Sequence, residues 1–265
     1  MKMDMNMKIT ILGASSGFGR EFTRLLAVQD NEITAISNDK QGLNELKEYI
    51  FANYRRGIEV VCRDLTNADD LDYVCARHTD CDFLINSAGG GKIGNITSLS
   101  IEEEQYYMNL NMWAFHKVTK TALLKMIYKR RGNVLNVCSA ASFAPMPNFS
   151  IYAATKAFAG SYTLALAREA EPYGVRVMAL CPGPTRTNFL TKEHYDAIQK
   201  KFGRLPVFMT PEVTAKRALK QFNKGKILYL SGALNKAIYW LDKFSPRTLI
   251  NNVIYKMYDD FKDLG

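Results

Sequence analysis

Short apolar runs alternate with longer stretches in which apolar residues recur at three- and four-residue steps, from near the amino terminus to the end of the chain. The short runs are what strands covered on both faces require, and the three-four step is what a helix with one apolar side requires. Expected strands are Lys8 to Leu12, Glu32 to Ile36, Ile58 to Cys62, Phe83 to Asn86, Asn133 to Val137, Val175 to Cys181 and Ile227 to Leu230. The longest helical patterns run over about 102–129 and 152–173. This alternation predicts an α/β fold: a doubly wound, seven-stranded parallel sheet with helices on both faces. No repeat or linker-like shift in composition interrupts the pattern, so a single domain is expected over 1–265. Near the carboxy terminus, Leu249, Ile250, Val253, Ile254, Met257, Tyr258 and Phe261 form one stripe of an amphipathic helix, expected to pack on its own domain or on a second subunit.

Composition narrows the function classes. A chain of 265 residues with 47% hydrophobic and 23% charged residues can bury one large core and is not of disordered type. The formal net charge of +9 raises the question of nucleic acid or an anionic membrane. The basic runs at 125–131 and 216–226, however, alternate with apolar residues at helical spacing, as solvated helix faces do, so no nucleic-acid partner is expected. The five cysteines form no C-x-x-C pair and the three histidines lack ligand spacing, which argues for a reducing compartment and against a metal site. With no run of about 20 apolar residues and no signal-peptide core at the Met-rich start, a cytoplasmic protein is expected.

Residues 9–21, ITILGASSGFGRE, read as a strand passing through a glycine turn into a helix. Gly13, Gly17 and Gly19 allow a tight turn and close approach of a pyrophosphate, whose charge would rest on the free amides of the helix start. The spacing is G-x-x-x-G-x-G rather than the general G-x-G-x-x-G fingerprint, and its place after the first strand gives it weight. At the end of the second strand, where a carboxylate would select NAD by its ribose hydroxyls, stand Ser37 and Asn38, with Lys40 close by. Hydroxyl and amide groups suit a 2′-phosphate, so NADP(H) is favoured over NAD(H). Asp39 would serve as the acid only if the loop were shifted.

Further along come Asn111, Ser139, Tyr152 and Lys156. Y-x-x-x-K also occurs as Tyr239/Lys243 and Tyr258/Lys262, but only Tyr152/Lys156 follows a strand end that carries a serine. The set resembles the short-chain dehydrogenase/reductase family, of its classical type. The resemblance rests on the glycine turn, Asp64-Leu65-Thr66, Asn86-Ser87-Ala88-Gly89, Asn111, Ser139, Tyr152, Lys156, and Pro182-Gly183 with Thr185 and Thr187. Departures from the family pattern are Leu12 where threonine is common, Ser87 for asparagine, Cys138 for serine and Ala114 for glycine; none removes a reacting group.

The resemblance implies a Rossmann-like sheet, an NAD(P)-dependent oxidoreductase acting on CH–OH groups, and roles by position. Ser15, Ser16 and Phe18 would contribute to cofactor binding from the glycine turn, Asp64 and Leu65 would hold the adenine, and Asn86, Ala88 and Gly89 would line the ribose. Pro182, Gly183, Thr185 and Thr187 would contact the nicotinamide side. Tyr152 would deliver the proton, Lys156 would hydrogen-bond the nicotinamide ribose, Ser139 would hold the substrate oxygen, and Asn111 would fix a water in the proton path. A free phenol ionises near pH 10, so Tyr152 needs the positive charge that Lys156 supplies one helical turn later.

Residues 188–210 would form a substrate lid and 233–265 carboxy-terminal helices. Phe189, Leu190, Tyr195, Phe202, Phe208 and Met209 in the first of these suggest a hydrophobic ketone or alcohol, such as an acyl chain or a steroid. The family also implies a homo-oligomer built through the two long helices. The alternatives are a non-catalytic cofactor sensor, which has no need of the serine, tyrosine, lysine and asparagine set, and a membrane-peripheral interaction protein.

Overall fold

Side chains alternate across a strand, and in this chain the alternation divides the interior into two layers. The computed structural model describes residues 6–187, 189, 191–203 and 208–244. Its strands are β1 (Lys8–Leu12), β2 (Glu32–Ser37), β3 (Glu59–Cys62), β4 (Phe83–Asn86), β5 (Gly132–Val137), β6 (Val175–Cys181) and β7 (Leu228–Leu230). They form one parallel sheet in the order β3-β2-β1-β4-β5-β6-β7. The order reverses between β1 and β4, which opens a crevice at the carboxyl ends of the strands, where ligands of doubly wound sheets bind.

The helices are α1 (Gly17–Leu26), α2 (Lys40–Tyr54), α3 (Ala68–His78), α4 (Ile101–Met108), α5 (Phe115–Tyr128), α6 (Ser150–Ala170), α7 (Lys192–Phe202), α8 (Pro211–Asn223) and α9 (Ala233–Phe244). Their starts follow from local chemistry. Asp39 accepts from the Gly42 amide at the start of α2, Asn67 from Asp70 at α3, and Ser100 and Glu103 form a reciprocal box at α4. The single helix expected over 102–129 is α4 and α5 joined by a wider π turn, Asn109–Ala114. That over 152–173 is α6 followed by a 3₁₀ turn, Glu171–Tyr173.

One layer, between the sheet and α1, α2 and α8, is mainly hydrocarbon, with Ile9, Ile11, Phe22, Phe83, Leu135 and Leu180 among its buried members and the hydroxyls of Thr23 and Thr214 buried on α1 and α8. Each such side chain contributes about 1.5–3 kcal/mol on burial. The other layer, under α3, α5 and α6, mixes apolar residues with a buried polar ladder. Asn86 donates to Thr119 Oγ1 at 3.2 Å, Thr119 to Asn136 Oδ1 at 3.4 Å, and Asn136 to Thr163 Oγ1 at 3.0 Å.

Among the described residues no helix is long and apolar enough to cross a membrane, and no group of three or more His, Cys, Asp or Glu could hold a metal ion. The apolar stripe expected at 249–261, with Tyr258 and Lys262, lies outside the described residues, as do Asn188, Leu190 and 204–207 of the expected lid.

Candidate active site

Two glycines set the floor of the crevice. Gly13 turns at φ +69°, and a methyl group there would lie 2.8 Å from the Ala88 backbone; at Gly19 it would lie 2.1 Å from the Gly13 carbonyl oxygen. The β1–α1 turn and the end of β4 therefore touch backbone to backbone, leaving the first amides of α1 facing the crevice as an anion site. Ser15 Oγ and Ser37 Oγ are hydrogen-bonded at 2.9 Å across the β1 and β2 ends. Gly17 faces the methyl of Thr187. A cavity of about 420 Å³ opens beside this turn, lined by Ser15, Ser16, Arg20, Asp39, Arg186 and others.

Asn38 and Asp64 stand at the next two strand ends. Tyr106 on α4 lies beside them, its hydroxyl shifted upward by burial and then by the Asp64 charge. The Asp64 carboxylate accepts from the amide and hydroxyl of Thr66 and so shapes its own turn. Leu65 and Asn86 differ from expectation: Leu65 packs with Leu71 and Val74 in the core, and the Asn86 amide points into α5. Phe18 is likewise packed on the hydrocarbon layer. Leu65 and Asn86 have their side chains in the interior, whereas Phe18 is only partly buried.

The π turn carries Asn111 into the crevice. Its Nδ2 donates to Gly90 O at 2.7 Å and Thr155 Oγ1 at 3.1 Å, while its Oδ1 accepts from Gly90 N at 3.0 Å. Both ends of the amide are thus engaged, and Asn111 ties the loop after β4 to α6. Gly89 lies against Lys156 Nζ and Asn111 Oδ1.

Ser139 follows β5 and is 9% exposed. Its Oγ accepts from the Ala141 amide at 3.0 Å, and Ser142 Oγ donates to the Lys156 carbonyl at 2.6 Å, binding this turn to α6. Tyr152 lies in the first turn of α6, with Phe149 stacked on its ring at 4.2 Å and Phe189 at 5.1 Å. Lys156 Nζ is 5.8 Å from the Tyr152 ring centre and donates to Val137 O at 3.4 Å. Lys156 is 5% exposed. Burial lowers its pKa, against an upward pull from Cys138 and Cys181.

Beyond β6, Pro182 O accepts from the Ala140 amide and the Gly183 amide donates to Ser231 Oγ, so this turn is bonded to both neighbouring strand ends. Tyr195, expected on the substrate wall, is turned inward: its hydroxyl donates to the Thr185 or Thr187 carbonyl and accepts from the Thr187 amide. It pins the loop that carries the two threonines. Tyr239, of the discarded Tyr239/Lys243 pair, packs on Phe143 from α9.

The structure thus gathers the glycine turn, Asn111, Ser139, Tyr152 and Lys156 around one crevice. Sequence reasoning missed Thr155, Ser142 and Tyr106, ordinary residue types whose partners lie far away along the chain.

Comparison with known proteins agrees with this geometry. A family model described as short chain dehydrogenase matches residues 7–198. Dehydrogenase/reductase SDR family member 6 of Xenopus laevis is 26% identical over 224 residues, covering 84% of this chain and 89% of that protein. The 2,3-dihydro-2,3-dihydroxybenzoate dehydrogenase of Bacillus subtilis is 29% identical over 207 residues, 76% of this chain and 79% of its own. Among solved structures, a short-chain dehydrogenase from Sphingobium yanoikuyae in complex with NADPH superposes with a TM-score of 0.76 at 25% identity, covering 90% of this chain and 96% of that one.

Proposed function

The chain belongs to the short-chain dehydrogenase family and is an oxidoreductase acting on CH–OH or carbonyl groups, and from that premise we propose that it uses NADP(H) on a hydrophobic small molecule. The observation that carries the catalytic assignment is the buried Lys156 ammonium 5.8 Å from the Tyr152 ring, at the mouth of a cradle whose glycines admit no side chain.

When bound, the nicotinamide supplies the hydride that adds to a carbonyl carbon. Tyr152 donates its phenolic proton to the carbonyl oxygen within hydrogen-bond reach. Lys156, charged, favours loss of that proton and holds the ribose side of the cradle. Ser139 holds the substrate oxygen by its hydroxyl. Asn111 is a positioning residue, because its amide fixes Gly90 and Thr155. Gly13, Ser15, Ser16, Gly17 and Gly19 take the phosphates, with Ala88, Gly89 and the 182–187 turn completing the cradle.

The preference for NADP(H) draws support from Ser15 and Ser37, whose hydroxyls pair at 2.9 Å where the β1 and β2 ends meet, and from Asp39, one of whose carboxylate oxygens is engaged in capping α2 at 2.9 Å. The NADPH complex of the Sphingobium relative points the same way. A hydrophobic substrate is favoured by Phe149 and Phe189 beside Tyr152. We place the chain as a single-domain cytoplasmic enzyme with a lid at 188–210. Homo-oligomerisation through its long helices is supported by the outward Trp113, Leu124 and Tyr128 on the segment from the π turn through α5.

The test is a screen of hydrophobic ketones and alcohols by absorbance at the nicotinamide band, with NADPH and NADH in parallel, on wild type and Tyr152→Phe. Wild type should turn over faster with NADPH. The variant should lose roughly 10²–10⁴-fold in kcat while binding cofactor normally by fluorescence titration. Near-normal turnover in Tyr152→Phe would remove the assignment.

A further inference from the structure

Behind Ser139 and Lys156 lies a pair of thiols that the hydride-transfer chemistry does not use. Cys138 follows β5 and Cys181 ends β6. Val137 is in register with Leu180, and the Cys138 amide donates to Leu180 O at 2.8 Å, so the cysteines are the next facing positions on adjacent parallel strands. Alternation along β5 and β6 turns both toward α6, where they share one buried cluster with Ala159 and Ala179. Within that cluster Cys138 Sγ lies 3.8 Å from Thr163 Oγ1, and each thiol shifts the titration of the other. Neighbouring strands lie about 4.8 Å apart, inside the 4.4–6.8 Å span of Cα atoms that a disulfide bridges.

The pair is chemically unequal. The neighbouring Cys181, joined by the nearby Lys156 charge, shifts Cys138 toward thiolate despite its burial, whereas Cys181 is held as a thiol. Elsewhere Cys75 and Cys81 are pushed upward by burial, Cys81 to about 11, and Cys62 is exposed without a thiol neighbour.

We propose that Cys138 and Cys181 form a peroxide-oxidisable dithiol whose closure into a disulfide switches the active site off. The Cys138 thiolate attacks one peroxide oxygen, the O–O bond breaks, and the departing hydroxide leaves as water after taking up a proton. Sulfur is thereby oxidised to sulfenic acid. The Cys181 sulfur then attacks it, the S–S bond forms, the S–O bond breaks, and a second water leaves with the thiol proton. Two thiols and one peroxide become one disulfide and two waters.

Closure disturbs the site because both catalytic supports hang on this pair. Ser139 follows Cys138 directly along the chain, and Lys156 Nζ donates to the carbonyl of Val137, on the other side of Cys138. Drawing the sulfurs to about 2.05 Å moves both anchors. Cys138 is 2% exposed and Cys181 0%, so oxidation is slower than at a surface thiol.

The test treats the full chain with hydrogen peroxide and follows free thiols after denaturation, non-reducing peptide maps and carbonyl-reducing activity. Five thiols are free at the start. The expected result is a single intrachain crosslink joining the Cys138 and Cys181 peptides, activity falling in step, and recovery of both with dithiothreitol. Cys138→Ser places there the serine of the family pattern, and it should abolish the crosslink and slow inactivation at least about tenfold; Cys62→Ser should retain wild-type sensitivity. No crosslink at any peroxide dose, a crosslink through another cysteine, equal inactivation of Cys138→Ser, or protection by Cys62→Ser would each overturn the proposal. The crosslink and thiol count are read without turnover, so they stand apart from the substrate and cofactor assignment.

Discussion

On the α1/α2/α8 side of the sheet the interior is mainly hydrocarbon, whereas on the α3/α5/α6 side Asn86, Thr119, Asn136 and Thr163 run through it as a hydrogen-bonded ladder. The hydrophobic layer needs volume and shape and tolerates exchange among similar side chains. The polar layer needs partners, because each unpaired amide or hydroxyl in that interior costs about 1–3 kcal/mol. The difference matches what each side does at the crevice. The first side delivers backbone, the glycine turn, and requires side chains to be missing; the second delivers Asn111, Ser139, Tyr152 and Lys156, and must hold them in one orientation. Directional bonds fix orientation where close packing alone would leave rotamers to choose from.

Four substitutions, in three experiments, break or sharpen this contrast. The largest effect belongs to Gly19→Ala, which sets a methyl group 2.1 Å from the Gly13 carbonyl. Dinucleotide affinity by fluorescence titration should fall roughly 100-fold or more, about 2.7 kcal/mol, and a variant that binds normally would show that the turn has slack.

Next, Asn136→Leu and Leu135→Ala probe adjacent residues facing opposite layers. Leu135→Ala should cost about 2–5 kcal/mol in urea unfolding with little change in KM. Asn136→Leu should cost about 1–3 kcal/mol and lower kcat as well, since Thr119 and Thr163 lose their partner. Equal effects on kcat from both would dissolve the contrast.

The smallest effect is on stability and has the opposite sign. Burial lowers the Lys156 pKa, so below that lowered value the fold bears the full cost of an enclosed ammonium. Between it and the unfolded value near 10.4 the unfolded chain binds the extra proton, and stability rises with pH. Lys156→Met should therefore melt higher than wild type at neutral pH, by roughly 2–4 °C for each kcal/mol regained. The gap should narrow toward pH 10, and activity should be lost throughout. A melting point unchanged across that range would mean that the ammonium is fully compensated.

Much of this was legible from the order of residues. The strands fall within about a residue of the ends that alternation predicts, because Val, Ile and Leu runs end where polar turns begin. The glycine turn and Tyr152/Lys156 were readable since their partners lie within one turn of chain. The rest depends on register between distant segments. Asn111 meets Gly90 and Thr155 across 21 and 44 positions, and nothing local to Asn86 shows that its amide meets Thr119. Tyr195 looked like an apolar wall, while its hydroxyl finds backbone partners eight and ten residues back. The widened turn at Asn109–Ala114 carries no compositional mark, since one extra residue per turn alters hydrogen bonding without altering hydrophobicity.

That widened turn also makes the site a matter of counting. Each residue advances a regular helix by about 100°, so losing one position within 109–114 would swing the segment bearing Tyr106 around the axis while the sheet stayed as it is. A loss beyond position 111 would also pull Asn111 from Gly90 and Thr155, so the length of this one turn sets the facing of two helical segments at once.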